Sequence, residues 1–276
     1  MPDSRLLASL DLMRRMPPSR MEASLEELVD LAPDLTDELL NTVDQPLQVA
    51  KDTQKNVYLL CDYNRDADSY RSPWTNTYDP PLEDGVLPPA NLRTMEVEAN
   101  EVFKSYMAAY YEGGGSSVYC WELDSPNNFA ACILFKKDVD QKKRGLDSGG
   151  WDAIHVIEVR PAGTKATYKL TSTIMLRLST DHSTGANGTG ELKLSGSMTR
   201  QNTQEMAWDG KNMTSHLANM GRMVEEMENR MRDSLQDVYF GKTKSTVNSL
   251  YSLNAQMDQN KQALATALQQ SLGSSR

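Results

Sequence analysis

The stretch MTSHLANMGRMVEEMENRMRDSLQDVYFG, residues 213–241, decides how the rest of the chain is read. Its apolar residues fall at Met213, Leu217, Met220, Val224, Met227, Met231, Leu235 and Val238, in steps of three and four. That spacing predicts one continuous apolar stripe on a helix of about seven turns. At about 1.5 Å per residue the helix would run roughly 40 Å. Asp, Glu, Arg and Asn fill its other faces, and Gly241 is placed to take a left-handed C-terminal conformation. Such a stripe is expected to pack on a sheet or on a partner helix.

The residues before it supply the sheet. Five strands are predicted at Val118–Leu123, Phe129–Lys137, Trp151–Val159, Thr167–Ser179 and Glu191–Thr199. In the last, Leu192, Leu194 and Met198 alternate with Glu191, Lys193 and Ser197. The links are short and contain no crossover helix, which makes an antiparallel meander.

Further upstream, a helix at about 91–111 ends in Gly113-Gly114-Gly115, and a Pro-rich extended segment with a strand at Val57–Cys61 precedes it. Three short helices are read in residues 3–43, and Ser24 with Glu27 has capping-box spacing. Downstream, Leu253, Met257, Leu264, Leu268 and Leu272 share one side of a Gln-rich helix. That helix either docks on its own domain or offers its apolar side to a partner groove.

The expected class is therefore α+β. Residues 1–45 form an N-terminal helical stalk and 46–112 the Pro-rich segment with its connecting helix. Residues 113–200 form the five-stranded antiparallel sheet, 201–248 the long helix packed across it, and 249–276 the C-terminal amphipathic helix.

Bulk properties narrow the function. The chain has 276 residues, 39% hydrophobic and 24% charged. Its net charge is −9, and a nucleic-acid binder would carry a basic footprint instead. No apolar run is long enough to span a bilayer, and no signal-peptide core opens the chain. The three cysteines, Cys61, Cys120 and Cys132, make neither a disulfide framework nor a zinc spacing, which points to a reducing, cytosolic compartment.

Candidate chemical motifs fail in detail. Asp62, Asn64, Asp66 and Asp68 mimic the start of a calcium loop, but Ala67 and Pro73 stand where Gly and Glu are required. Gly241-Lys242-Thr243 lacks the upstream Gly and the preceding strand of a phosphate loop. His155, His182 and His216 have no neighbouring Cys or carboxylate at ligand or triad spacing. No catalytic residue, cofactor or metal is expected, and the chain reads as a binding protein rather than an enzyme.

Several blocks are similar to the β subunit of F-actin capping protein. They are Asp11-Leu12-Met13-Arg14-Arg15 with Pro17-Pro18, Thr42–Leu47, Leu59–Asp66, Ser69–Trp74, Tyr78–Gly85, Tyr168–Thr173 and Tyr239–Lys244. The resemblance covers nearly the whole chain. It implies a heterodimer with an α subunit of the same fold, joining two five-stranded sheets into one of ten strands. It also implies Ca-independent binding to filament barbed ends that blocks subunit addition and loss, without chemistry, in the cytoplasm and cytoskeleton.

Phosphoinositides, proteins with capping-protein-interaction motifs, and dynactin are further partners implied by the family. Leu264, Leu268 and Leu272 match the leucines of the family's C-terminal tentacle, which would enter an apolar cleft on actin. Arg230 and Arg232 match basic positions that would face acidic actin. An alternative is a scaffold subunit of a larger, dynactin-like complex with little capping activity of its own. Three departures stand out: no basic cluster after Leu272, a long Gly-rich loop at 180–190, and Arg177 where many members carry Trp.

Overall fold

The computed structural model describes residues 21–36, 46–125, 127–140, 148–181 and 191–235. The chain divides into two compact units, Met1–Val224 and Glu225–Arg276.

The first unit opens with helix α1, Met21–Leu31, and a 3-10 turn, Pro33–Leu35. Ser24 lies inside α1 and is buried, so it is not the cap that its spacing with Glu27 suggested. Of the other two expected N-terminal helices, residues 3–17 and 37–43 lie outside the described residues.

Two strands follow, β1 (Gln48–Lys51) and β2 (Val57–Leu60), paired antiparallel. The expected loop region then contains a three-stranded ribbon of very short strands: β3 (Arg65–Asp66), β4 (Ser69–Arg71) and β5 (Tyr78–Asp79). Helix α2 spans Ala90–Tyr110, within a residue of the expected bounds. It ends where Gly113 and Gly114 take positive φ. At Gly114 a Cβ would lie 2.7 Å from the Lys136 carbonyl oxygen, so only glycine fits the turn into the sheet.

The main sheet is β6 (Gly115–Glu122), β7 (Phe129–Asp140), β8 (Ser148–Ala162), β9 (Lys165–Asp181) and β10 (Glu191–Ala207). Spatial order follows chain order and every pair is antiparallel. The meander expected from the short links is thus present. The strands run longer than apolar content indicated, β10 ending at Ala207 rather than Thr199. Ladder hydrogen bonds continue through Arg200–Glu205, whose side chains are polar and gave no apolar signal.

Burial is greatest at β7. Every residue from Phe129 to Phe135 is at most 1% exposed. A continuous apolar run of this kind belongs to a strand covered on both faces. One face receives Leu92, Met95, Ala99, Phe103 and Met107 of α2, with the Phe103 and Phe135 rings 5.7 Å apart. The other receives Leu47 and Leu59, packed with Tyr119, Cys132 and Leu134. Each fully buried side chain of this size contributes about 1.5–3 kcal/mol. Toward β9 and β10 the second face is polar: Thr173 and Thr199 share a hydroxyl contact of 2.9 Å, and Gln201 donates to Thr171.

A turn at Asp209–Asn212 leads into the last helix. The Asp209 carboxylate accepts from the backbone of Lys211 and Asn212, and Asn212 caps a 3-10 turn, Met213–Ser215. Helix α3 then runs His216–Leu235. In the first unit its residues Met220, Met223 and Val224 are buried. Asn219 donates to the Ala207 carbonyl of β10 and to the Tyr168 hydroxyl of β9. In the second unit Met227, Met231 and Leu235 are buried. Met223 joins the stripe although the spacing did not select it, while Met213 and Leu217 are only half-buried.

Candidate functional site

A buried cluster of charged side chains lies between the β3–β5 ribbon and α2. Glu96 is fully buried on α2 and takes a bidentate pair from Arg71, at 2.7 and 2.8 Å. Arg93, one turn back, pairs with the same carboxylate. The second oxygen of Glu96 also accepts from the Cys120 backbone N–H of β6. Burial is the largest single influence on Arg71 and opposes its charge, but hydrogen bonding and charge attraction to Glu96, with smaller help from Tyr119 and Tyr78, together raise its pKa.

Asn64 accepts from the Cys61 backbone and donates to the Arg71 carbonyl, so the false calcium motif is a turn brace. Asp52 accepts from Asn56 and Ser72, and these bonds hold its carboxyl below the usual range despite the opposing effect of burial. Every one of these groups faces a protein partner. The cluster ties the ribbon to the sheet.

A second network joins β7, β8 and β9. Asp152 is fully buried, accepts from the Leu47 backbone and pairs with Lys136 at 3.1 Å. Arg177, the unusual residue of β9, lies 3.1 Å from Asp138 and 3.6 Å from Asp152. A guanidinium at this place is therefore neutralised within the sheet.

The two described histidines sit in separate structural contacts. His155 and Ser172 share a 2.8 Å hydrogen bond, yet both are fully buried beside Phe135 and out of reach of a substrate. His216 bonds the Tyr168 hydroxyl at 2.6 Å and stacks on Trp208. Burial drives its pKa down to about 4, against a smaller opposing effect of Asp209. His182 lies outside the described residues. Among the described residues no group of three or more His, Cys, Asp or Glu is placed to hold a metal ion. None of the described helices is long and apolar enough to cross a membrane.

Two of the five site residues expected from sequence are described, on α3. Arg230 projects outward, its side chain 67% exposed, and meets Glu226 at 3.8 Å. Arg232 is 37% exposed and meets the fully buried Glu228 at 3.5 Å. Both contacts are the i,i+4 pairs that helical spacing allows. Arg230 is the more available for a partner, while Arg232 also helps satisfy a buried carboxylate. Leu264, Leu268 and Leu272 lie outside the described residues, so their grouping with the arginines stays a sequence expectation.

Sequence reasoning missed the Arg71–Glu96–Arg93 cluster. A signal was present: Glu96 sits on the apolar face of α2 among Leu92, Met95 and Ala99, with Arg93 three residues before it.

Comparison with known proteins identifies the family. The family model described as F-actin capping protein, beta subunit matches residues 6–247. The β subunit of F-actin-capping protein from Dictyostelium discoideum is 53% identical over 91% of this chain and 90% of its own length. That from Drosophila melanogaster is 52% identical over 95% and 93%. Among solved structures, the homodimeric actin capping protein alpha subunit from Plasmodium berghei superposes with a TM-score of 0.55 over 91% of this chain and 97% of that one. Its 12% identity makes that a likeness of fold alone. With a family match over nearly the whole chain and relatives at about half identity, this chain belongs to the F-actin capping protein β-subunit family.

Proposed function

We propose that this chain is the β subunit of a heterodimer that binds the barbed end of an actin filament and blocks subunit addition and loss there. The observation that carries the reading is the family match over residues 6–247. The partner is an α subunit of like fold. β10 supports that pairing: it is the long outer strand of the main sheet, with no neighbour beyond it among the described residues. An open edge strand of 17 residues is a template for further strand pairing.

In this reading residues 1–45 form the stalk, α3 spans the sheet, and 249–276 form a tentacle. Leu264, Leu268 and Leu272 enter an apolar cleft on a terminal actin subunit, and Arg230 and Arg232 steer the dimer toward acidic actin. The protein works in the cytoplasm and cytoskeleton, does no chemistry, and answers to phosphoinositides, proteins with interaction motifs, and dynactin.

The test is filament elongation from barbed ends in the presence of this chain with its α partner. Elongation should stop at dimer concentrations far below those of actin. Unaltered growth at high dimer concentration would sink the proposal in favour of a scaffold subunit.

A further inference from the structure

We propose that Cys61 and Cys132 form an oxidative modification site that a small disulfide of the oxidised-glutathione class converts to an internal disulfide. The two residues are far apart in sequence but pack in one apolar cluster under the sheet, with Leu47, Leu59, Tyr119 and Leu134. The Tyr119 hydroxyl donates to the Leu59 carbonyl at 2.7 Å, and the Ser117 hydroxyl accepts from the Leu59 N–H at 2.9 Å. These bonds fix the end of β2 against β6. The Asn64 side chain holds the Cys61 N–H. Tyr119 stands directly opposite Cys132 in the β6–β7 ladder, so the same anchor brings Cys61 to Cys132.

The third thiol is excluded by the pleat. Cys120 follows Tyr119 and so points to the opposite face of the sheet. The Cys132 thiol is pushed well up, by burial first and then by the Cys61 thiol beside it. Cys61 is only half-buried and Cys132 is buried, which sets the order of events.

The Cys61 thiolate attacks one sulfur of the small disulfide, forming a mixed disulfide and expelling one thiolate. Cys132 then attacks the Cys61 sulfur, its proton passing to the second thiolate as that leaves. Two protein thiols are oxidised to one disulfide, and one small disulfide is reduced to two thiols. The second step is the slow one, because the attacking thiol ionises poorly.

The full chain, in the assembly with which it purifies, is treated with oxidised glutathione, alkylated, digested and mapped by mass spectrometry. The expected product is a peptide pair linked through Cys61 and Cys132, lost on reduction, with Cys120 free. Cys61→Ser should abolish the link, and Cys132→Ser should leave glutathione on Cys61. A wild-type chain that holds glutathione on Cys61 with no linked pair would overturn the proposal, as would recovery of both thiols unoxidised. Should Cys132→Ser fail to fold, the wild-type map and Cys61→Ser decide the question alone.

Discussion

His216 shows how one side chain can set the acid limit of this fold. Its imidazole is enclosed by Phe129, Tyr168 and Trp208, and its pKa lies at about 4 rather than 6.5. The unfolded chain therefore binds a proton that the folded chain refuses across that interval. Stability is complete above the unfolded value and is lost as pH falls toward the folded one. Between about pH 7 and about pH 5 the loss from this residue is about 2 kcal/mol. Urea unfolding at both pH values should show it, and His216→Gln should flatten the difference; an unchanged difference would count against the assignment.

Glu96 is the other residue whose removal should be felt. Glu96→Gln leaves the nearly buried Arg71 without its counter-charge and should cost about 3–5 kcal/mol. Denaturant midpoints would check this, and a loss below about 1 kcal/mol would mean the cluster behaves as a surface pair.

At the scale of the element, α3 is one helix with two kinds of charged position. Arg230 pairs loosely with half-exposed Glu226, and such pairs are worth about 0.2–0.5 kcal/mol. Arg232 touches a carboxylate that is fully buried. Arg230→Ala should therefore leave the unfolding midpoint nearly unchanged while slowing association with filament ends, since rim charges act on on-rate. Arg232→Ala should lower stability as well. Single-filament capping rates at two salt concentrations separate these effects. An association rate insensitive to salt and to Arg230→Ala would remove the steering role.

For the whole molecule, the proposed function assigns separable roles to β10, the outer strand among the described residues, and to Leu264, Leu268 and Leu272. Truncation after Leu250 should leave co-purification with an α-like partner intact while shortening residence on barbed ends. Leu268→Arg should do the same by speeding dissociation, because buried apolar anchors act mainly on off-rate. Co-expression pull-downs and single-filament dwell times measure the two properties independently. Loss of the partner on truncation would show that the tail belongs to the dimer interface instead.

The sequence by itself determined the main strands and the two longer helices, but not β1, the β3–β5 ribbon or the polar end of β10. Short links rich in turn residues and the alternation at 191–199 marked the antiparallel strands, and three-four spacing marked α3, because these signals are local. The long blocks of similarity placed the family, since they required no knowledge of contacts. Only the tertiary structure decided which polar residues are structural. Arg71 joins Glu96 across 25 residues and Leu47 meets Asp152 across 105, and no local pattern encodes such a meeting. Burial then does the rest: the same Arg, Glu or Asp is a solvated charge on a surface and a fixed strut in an interior. The stripe at 213–235 is thus legible as a helix face, whereas the inclusion of Met223 and the partial exposure of Leu217 were set by what packs around them.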